Sequence, residues 1–412
     1  MVALIIAGIL GVALGSYLLM VRSHYASVNR SQSWNAALAL AEAGVEEALA
    51  HLNPGAASPP PALAGDGWKL LEGACRVPQE TRRLTNGCSY AVIITNEPGR
   101  IVLTNYVIYS TGYASIPSSA TPLSRVLRVT ITNAPLFSAA VAAKSNITMS
   151  AGREGGVFAD SFDSRDAKHS DSGFYPDDTH KITTNGDVAC LSGTVMIGTD
   201  VIHGDLLLGP STRVGPIAVS GKISKDFNVD FPDVPPPFTT ALPPIGGTVN
   251  GTEYAYLLTG GNYMISSGMV KGKMLVTGTA VLYVTRDASI NFAASDSISI
   301  GTNASLKLYV GSSSVTLPNV IHAGASDKFA YFGLPTNTRL AQPIQAAFSG
   351  SIYAPSADFT INAGGGGRCD FVGACMARSL TINNHCSFHF DENLLRTGNP
   401  ARGYVVSSWR EL

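Results

Sequence analysis

The sequence predicts a mainly β protein led by one long α-helix, and three observations carry that prediction. Residues 2–21, VALIIAGILGVALGSYLLMV, hold no charge, and no proline follows until Pro54. Forty-two glycines, with many Ser, Thr and Asn, punctuate short apolar runs, the texture of many brief strands. The segment Phe348-Ser-Gly-Ser-Ile-Tyr-Ala354 recurs as Phe371-Val-Gly-Ala-Cys-Met-Ala377, and each copy leads to Thr-Ile-Asn, at 360–362 and 381–383. Such self-similarity marks stacked structural units. The expected order is a transmembrane and amphipathic helix (1–53), a linker and small antiparallel sheet (54–135), a β-solenoid or β-helix (136–392) and a short irregular C-terminal tail (393–412).

The helix comes first. At about 1.5 Å of rise per residue, residues 2–21 cross the roughly 30 Å hydrocarbon core of a bilayer. Eleven of them are Leu, Ile or Val, each favouring the bilayer by about 0.3–0.6 kcal/mol. Ala3, Ala7, Gly11 and Gly15, four apart, form a ridge that lets helix backbones approach closely in lipid. From Arg22 to Leu52 the pattern turns amphipathic. Leu38, Ala41, Val45, Ala48 or Leu49, and Leu52 recur at helical spacing, with Glu42, Glu46 and Glu47 off the stripe. Pro54 lacks an N–H and biases Asn53 out of the α region, so the helix ends there, after about fifty residues and roughly 75 Å.

The run from Val2 through AEAGVEEALAHLN resembles the N-terminus of PilX-type minor pilins of type IV pili and type II secretion-like systems. The resemblance implies an inner-membrane anchor whose second half cradles a β-sheet head, with other pilin-like or secretion-system subunits as partners. Prepilins open on a short basic leader ending in Gly and carry Glu five residues into the mature chain. This chain opens Met1-Val2-Ala3-Leu4-Ile5, so the expectation is either a start upstream of Met1 or a protein never processed as a prepilin. Arg22 and Arg30 follow the apolar run, and the positive-inside rule alone sets the bulk of the chain in the cytoplasm. The pilin resemblance sets it outside, periplasmic or extracellular. A cleaved signal peptide lacks its basic n-region here.

Charged residues make up 14% of the chain and the net charge is −1, which removes the electrostatic case for nucleic acid. The six cysteines include no C-x-x-C pair, which disfavours a zinc ribbon. Cys75 and Cys88 are spaced to close a short loop as a disulfide. Cys369, Cys375 and Cys386 read either as a bridge plus a free thiol or as small buried hydrophobes.

Residues 54–66, rich in Pro and Ala, read as a stiff linker. Strands are expected at 89–95, 101–110 and 125–132, the first two joined by the turn-forming Asn96-Glu97-Pro98-Gly99. They resemble the sheet of the pilin-like head. Beyond Pro135 come runs of a few residues, such as KMLVTGTAVLYVT (273–285) and ASLKLYVG (304–311), and their brevity favours the solenoid over an immunoglobulin-like sandwich. The six prolines of 231–245 bar that segment from a central strand, leaving an extended excursion over one face between two blocks of coils. VFADSFDS, FSGSIYAPSADF and HFDENL resemble an uncharacterised β-helical domain found behind PilX-like N-termini, which brings no catalytic residues with it.

Two polar constellations are candidates for a site. Asp160, Asp163 and Asp166 open a loop also bearing His169, Asp171, Asp177, Asp178 and His180. Their chemistry suits Ca²⁺, or acid–base work on a sugar chain. The spacing fits no EF-hand or RTX repeat, and capping of turns accounts for it. Strand alternation puts His385, His389 and Asp391 on one face of 385–392, a metal-ligand set by type, or simply the wet side of a strand whose Cys386, Phe388 and Phe390 point inward. Gly364–Gly367 precede Arg368 and no helix, so they read as a corner and not a phosphate cradle. The expected function is a non-catalytic, membrane-anchored envelope protein that displays its solenoid for assembly or adhesion, with surface glycans as candidate partners and no required cofactor. The alternatives are a β-helical polysaccharide lyase or hydrolase, and a polymerising scaffold resembling the bactofilins.

Overall fold

The computed structural model describes the chain except residues 54–66, 72–74, 79–81, 85–86, 97–104, 118, 120, 134, 151–155, 294, 323, 345–346, 364–368 and 397–402. The expected linker, the turn at 97–99 and the glycine corner at 364–367 lie outside the described residues. The chain divides into two units, 1–134 with 398–412, and 135–397.

In the first unit a single helix, α1, runs from Val2 to Leu52. Its second half does what the stripe predicts: Ala37, Ala41, Val45, Ala48 and Leu52 are buried, and Leu38 and Leu49 pack beside them. They face Val92, Ile94, Ile108, Leu127, Val129 and Ile131 of an antiparallel sheet. Burial of each such Val, Leu or Ile is worth about 1.5–3 kcal/mol, so packing and not propensity holds this half helical. Small residues set the spacing. A methyl on Gly44 would strike Ser110, and one on Gly112 would strike the helix backbone at Ala37 and Ala41. Glu47, at the border of the stripe, accepts from Arg82 Nε and Tyr90 OH, each at 2.8 Å. Burial and that carboxylate together push the Tyr90 phenol up to about 12.

The strands Ser89–Asn96, Asn105–Ala114 and Leu123–Asn133 pair antiparallel in succession. The tail departs from expectation. Tyr404–Glu411 is an edge strand, antiparallel to Leu123–Asn133. Alternating Val405, Ser407 and Trp409 gave little warning, since all are exposed and the strand is held by backbone pairing. It is pinned at both ends: Asn53 brackets Tyr404 through the backbone N–H and C=O at 2.6 and 3.0 Å, and Arg125 pairs with Glu411. Cys88 is a free thiol, so the loop-closing pair with Cys75 is not formed.

The second unit is made of short strands in parallel ladders. Leu282 pairs with Leu308, Leu308 with Tyr331, Tyr331 with Ile352, Ile352 with Cys375, Cys375 with Val141, Val141 with Val188, and Val188 with Leu206. All eight side chains are buried. The repeat read in the sequence is this register, with Phe348 opposite Phe371 and Thr360 opposite Thr381. Parallel pairing excludes the sandwich of antiparallel sheets; among the described strands of this unit the antiparallel pair is the hairpin of Ile245–Val249 with Thr252–Leu258, at one end. Buried Tyr331 is satisfied by Asn337 Oδ1 at 2.9 Å, whose amide nitrogen donates to Ser312 O at 2.8 Å.

Register also gives the order of the rungs. The strands of 141–162 lie between those of 188–202 on one side and 370–391 on the other. The ladder thus starts in its middle. It grows outward through 206–224, crosses to the far end, and returns from 252 until the strands of 370–391 meet those of 141–162. The crossing is the proline-rich segment. Phe231 and Val234 are buried, Tyr353 OH donates to Pro232 O at 2.9 Å, Phe238 stands edge-on to Tyr283, and Leu242 O accepts from Met264 N at 3.0 Å. These contacts move along the ladder as the segment does. The aromatic column beneath it runs Tyr283, Tyr309, Phe332, Tyr353.

Candidate functional site

Both candidate constellations meet where the last strand, Ser387–Asp391, lies parallel to Val157–Phe162. Phe388 and Phe390 point into the core as alternation predicts, in a file of rings from Phe348 through Phe371 and Phe388 to Phe158. The opposite face is not wet. Ser387, His389 and Asp391 are buried too, because the loop after Phe162 is laid over them. Cys369 and Cys386 form a disulfide at the entry to this strand, and Cys375 remains a buried thiol.

His389 lies opposite Asp160 in register. Its Nδ1 is 2.6 Å from Asp160 Oδ1 and its Nε2 is 3.2 Å from Asp370 Oδ1. Tyr175 stacks on the ring at 3.7 Å and donates its hydroxyl to Asp160 Oδ2 at 2.7 Å. Burial alone would lower the pKa of His389, but the hydrogen bonds and charges of Asp160 and Asp370 outweigh it and hold the pKa above its ordinary value. An imidazolium between two carboxylates has no lone pair for a metal and none to act as a base.

The other candidates go elsewhere. Asp163 forms a two-pronged ion pair with Arg396, at 2.9 and 2.6 Å, and that guanidinium holds its carboxyl below the usual range. Asp166 accepts from Lys168 N within its own turn. His385 Nε2 stands 2.9 Å from Oδ2 of the fully buried Asp200. Asp391 accepts from Ser164 N, Asn393 N and Ser326 Oγ at 3.1, 3.1 and 2.7 Å. Asp160, Asp163 and Asp166 therefore do not converge on a groove, and neither do His385, His389 and Asp391 on a metal. Among the described residues, no group of three or more His, Cys, Asp or Glu is arranged to hold an ion. A cavity of about 230 Å³ between Phe292, Thr316, Leu317 and Pro343 has no ionisable lining. Asp370, Tyr175, Arg396 and Asp200 were missed by sequence reasoning, since nothing local marks partners so distant along the chain.

The arrangement joins the earliest and the latest strands of the ladder in chain order. Asp160, Asp163 and Asp391 each have a counter-charge or hydrogen-bond donors from another part of the chain, as burial of ions requires.

Residues 246–397 match the model of a domain of unknown function, DUF7305. That match begins at the far-end hairpin and takes in the ladder through its last strand. No curated protein matches the chain. Among solved structures, the chain is similar to the competence-associated pilin ComZ from Thermus thermophilus, at 11% identity and a TM-score of 0.26 over 91% of this chain and 97% of that one. A likeness so slight carries no argument about fold or function.

On the first helix, Ala7, Gly11 and Gly15 of the expected ridge fall among the described side chains. Ala7, Gly11 and Gly15 are exposed, and a methyl on Gly11 or Gly15 would meet nothing within 4 Å. The helix is long and apolar enough to cross a membrane, and none of its most apolar window is buried against the rest of the chain.

Proposed function

We propose that this is a non-catalytic, minor-pilin-like protein of a type IV pilus or type II secretion-like envelope system. Its first helical half anchors it in the inner membrane, and it holds a β-solenoid outside the cytoplasm for assembly or adhesion. One observation carries the reading: α1 is a single helix with two different halves. Residues 2–21 present an uncharged apolar surface that none of the described residues covers, while the stretch from Ala37 to Leu52 is packed on a sheet. So large a bare apolar surface calls for lipid or for like helices. The ridge of Ala3, Ala7, Gly11 and Gly15 suits packing against other pilin-like subunits. The column from Leu282 to Leu206, inward and aligned rung on rung, supports reading the ladders as coils of a solenoid. The Cys369–Cys386 bridge supports an oxidising compartment. A glycan-cleaving reading loses its starting set, because the carboxylates of Asp160 and Asp163 are tied to His389 and Arg396 and do not flank an open groove.

The test is topological. Reporters active only outside, or only inside, the cytoplasm are fused after Asn133 in a bacterial host. The external reporter is expected to be active, in the membrane fraction. Activity of the internal reporter alone would overturn the assignment and favour an intracellular scaffold.

A further inference from the structure

Behind the His389 seam lies a second polar cluster whose hydrogen bonding does not close. It is built from two short 3-10 turns, Ser326–Lys328 and Glu392–Arg396, and from Ser164. Asp391, with no exposed surface, is its centre: Ser164 N and Asn393 N approach Oδ1, and Ser326 Oγ approaches Oδ2. Next to Ser326 comes Asp327, whose Oδ2 accepts from Asn393 Nδ2 at 3.4 Å. Three oxygens of this group are buried with no partner: Asp327 Oδ1, Asn393 Oδ1 and Ser164 Oγ. Asn393 is 1% exposed. Turning its amide over would free the nitrogen and press its oxygen on the Asp327 carboxylate, so hydrogen bonding within the group cannot satisfy it.

The charge does not close either. Arg396 is committed to Asp163, Lys181 pairs with Asp171, and His389 is held by Asp160 and Asp370. Asp327 and Asp391 have no cationic side chain within ion-pair distance among the described residues. The three hydrogen bonds of Asp391 and the nearby charge of Arg396 offset only part of the negative charge of the two carboxylates, and each orphaned buried oxygen costs about 1–3 kcal/mol. One occupant relieves both deficits: a hard cation that takes oxygen ligands, carboxylate, amide carbonyl and hydroxyl together. Ca²⁺ has that preference and tolerates irregular sets completed by water.

We propose that Asp327, Asn393 and Ser164, with the charge of Asp391 behind them, form a Ca²⁺ site that fastens the turn at 326–328 to the end of the last strand and to the loop after Phe162. The site is distinct from the expected set at Asp160, Asp163 and Asp166, and it does not depend on the anchoring function proposed above.

The test uses the full chain in detergent, stripped with a chelator. Isothermal titration and thermal unfolding are followed as Ca²⁺ is raised to about 10 mM, above the 10⁻⁴–10⁻³ M range of extracellular Ca²⁺ modules. One site per chain and a saturable rise in Tm are expected. Asp327→Asn should weaken binding at least about tenfold, an effect of the size that loss of a supporting group produces. Asp166→Asn, in an exposed turn of the same loop, should leave it unchanged. Absence of binding by the unsubstituted chain, or equal binding by Asp327→Asn, would overturn the proposal. Should Asp327→Asn fail to fold, Asn393→Asp supplies the second variant: a third carboxylate strengthens a cation site and, without a cation, destabilises the chain.

Discussion

At the residue scale, His389 shows how a side chain changes meaning with its surroundings. Strand alternation places it beside His385 and Asp391, and the fold places it between Asp160 and Asp370. Replacing it with Ala takes the cation from between the buried Asp160 and the half-buried Asp370, and a loss on the order of 3–5 kcal/mol is expected. The pH dependence has a definite sign. Because the folded pKa is raised, the stabilisation is fully present below the unfolded value of about 6.5 and is lost as pH rises through the folded one. The gap in Tm between the parent and His389→Ala should therefore be wider at pH 6 than in the alkaline range, measured by thermal unfolding across pH. A gap constant with pH would assign the role to packing under Tyr175 alone. None of this was legible locally: Asp160 and His389 were each singled out, but only register brings them together.

At the level of elements, the helix and the small sheet were the most readable parts, for a physical reason. A helical stripe and strand alternation are periodic over neighbouring residues, so Ala41, Val45 and Leu52, or Val129 and Ile131, announce their face without knowledge of the partner. The strand Tyr404–Glu411 had no such signal, because an edge strand held by backbone bonds needs no apolar face. Its position gives it a clear role in covering the edge of Leu123–Asn133. Deleting residues 403–412 should lower the Tm of the membrane-extracted protein by several degrees and promote self-association, readable by unfolding and light scattering. An unchanged Tm would mean that the edge needs no cover. The Cys75–Cys88 expectation failed where spacing was the only argument, whereas Cys369 and Cys386 meet because each stands just before a residue of the parallel register pair Asp370 and Ser387.

For the whole molecule, the repeat at Phe348 and Phe371 revealed the stacking, but not the order of the stack. Sequence similarity between rungs shows that they are equivalent and is silent on which one begins. The family match over 246–397 spans the part of the ladder that is continuous in both chain and space. That fragment, expressed alone, is expected to show β-sheet circular dichroism and cooperative unfolding, and to associate through the edge that 141–162 covers in the intact chain. A fragment without cooperative unfolding would show that the ladder is stable only when closed.

The mid-ladder start has a further consequence, in time. On the ribosome, the strands at 141–162 emerge long before 370–391, the neighbours on one of their flanks. Contacts over such separations fold slowly, because the intervening chain must be ordered first. Until 370–391 have emerged, that flank offers unpaired N–H and C=O groups to any passing strand. A host that delays this chain before residue 391 would hold a nascent protein with an open, adhesive edge, and a chaperone or a swift handover to the membrane would matter most in that interval.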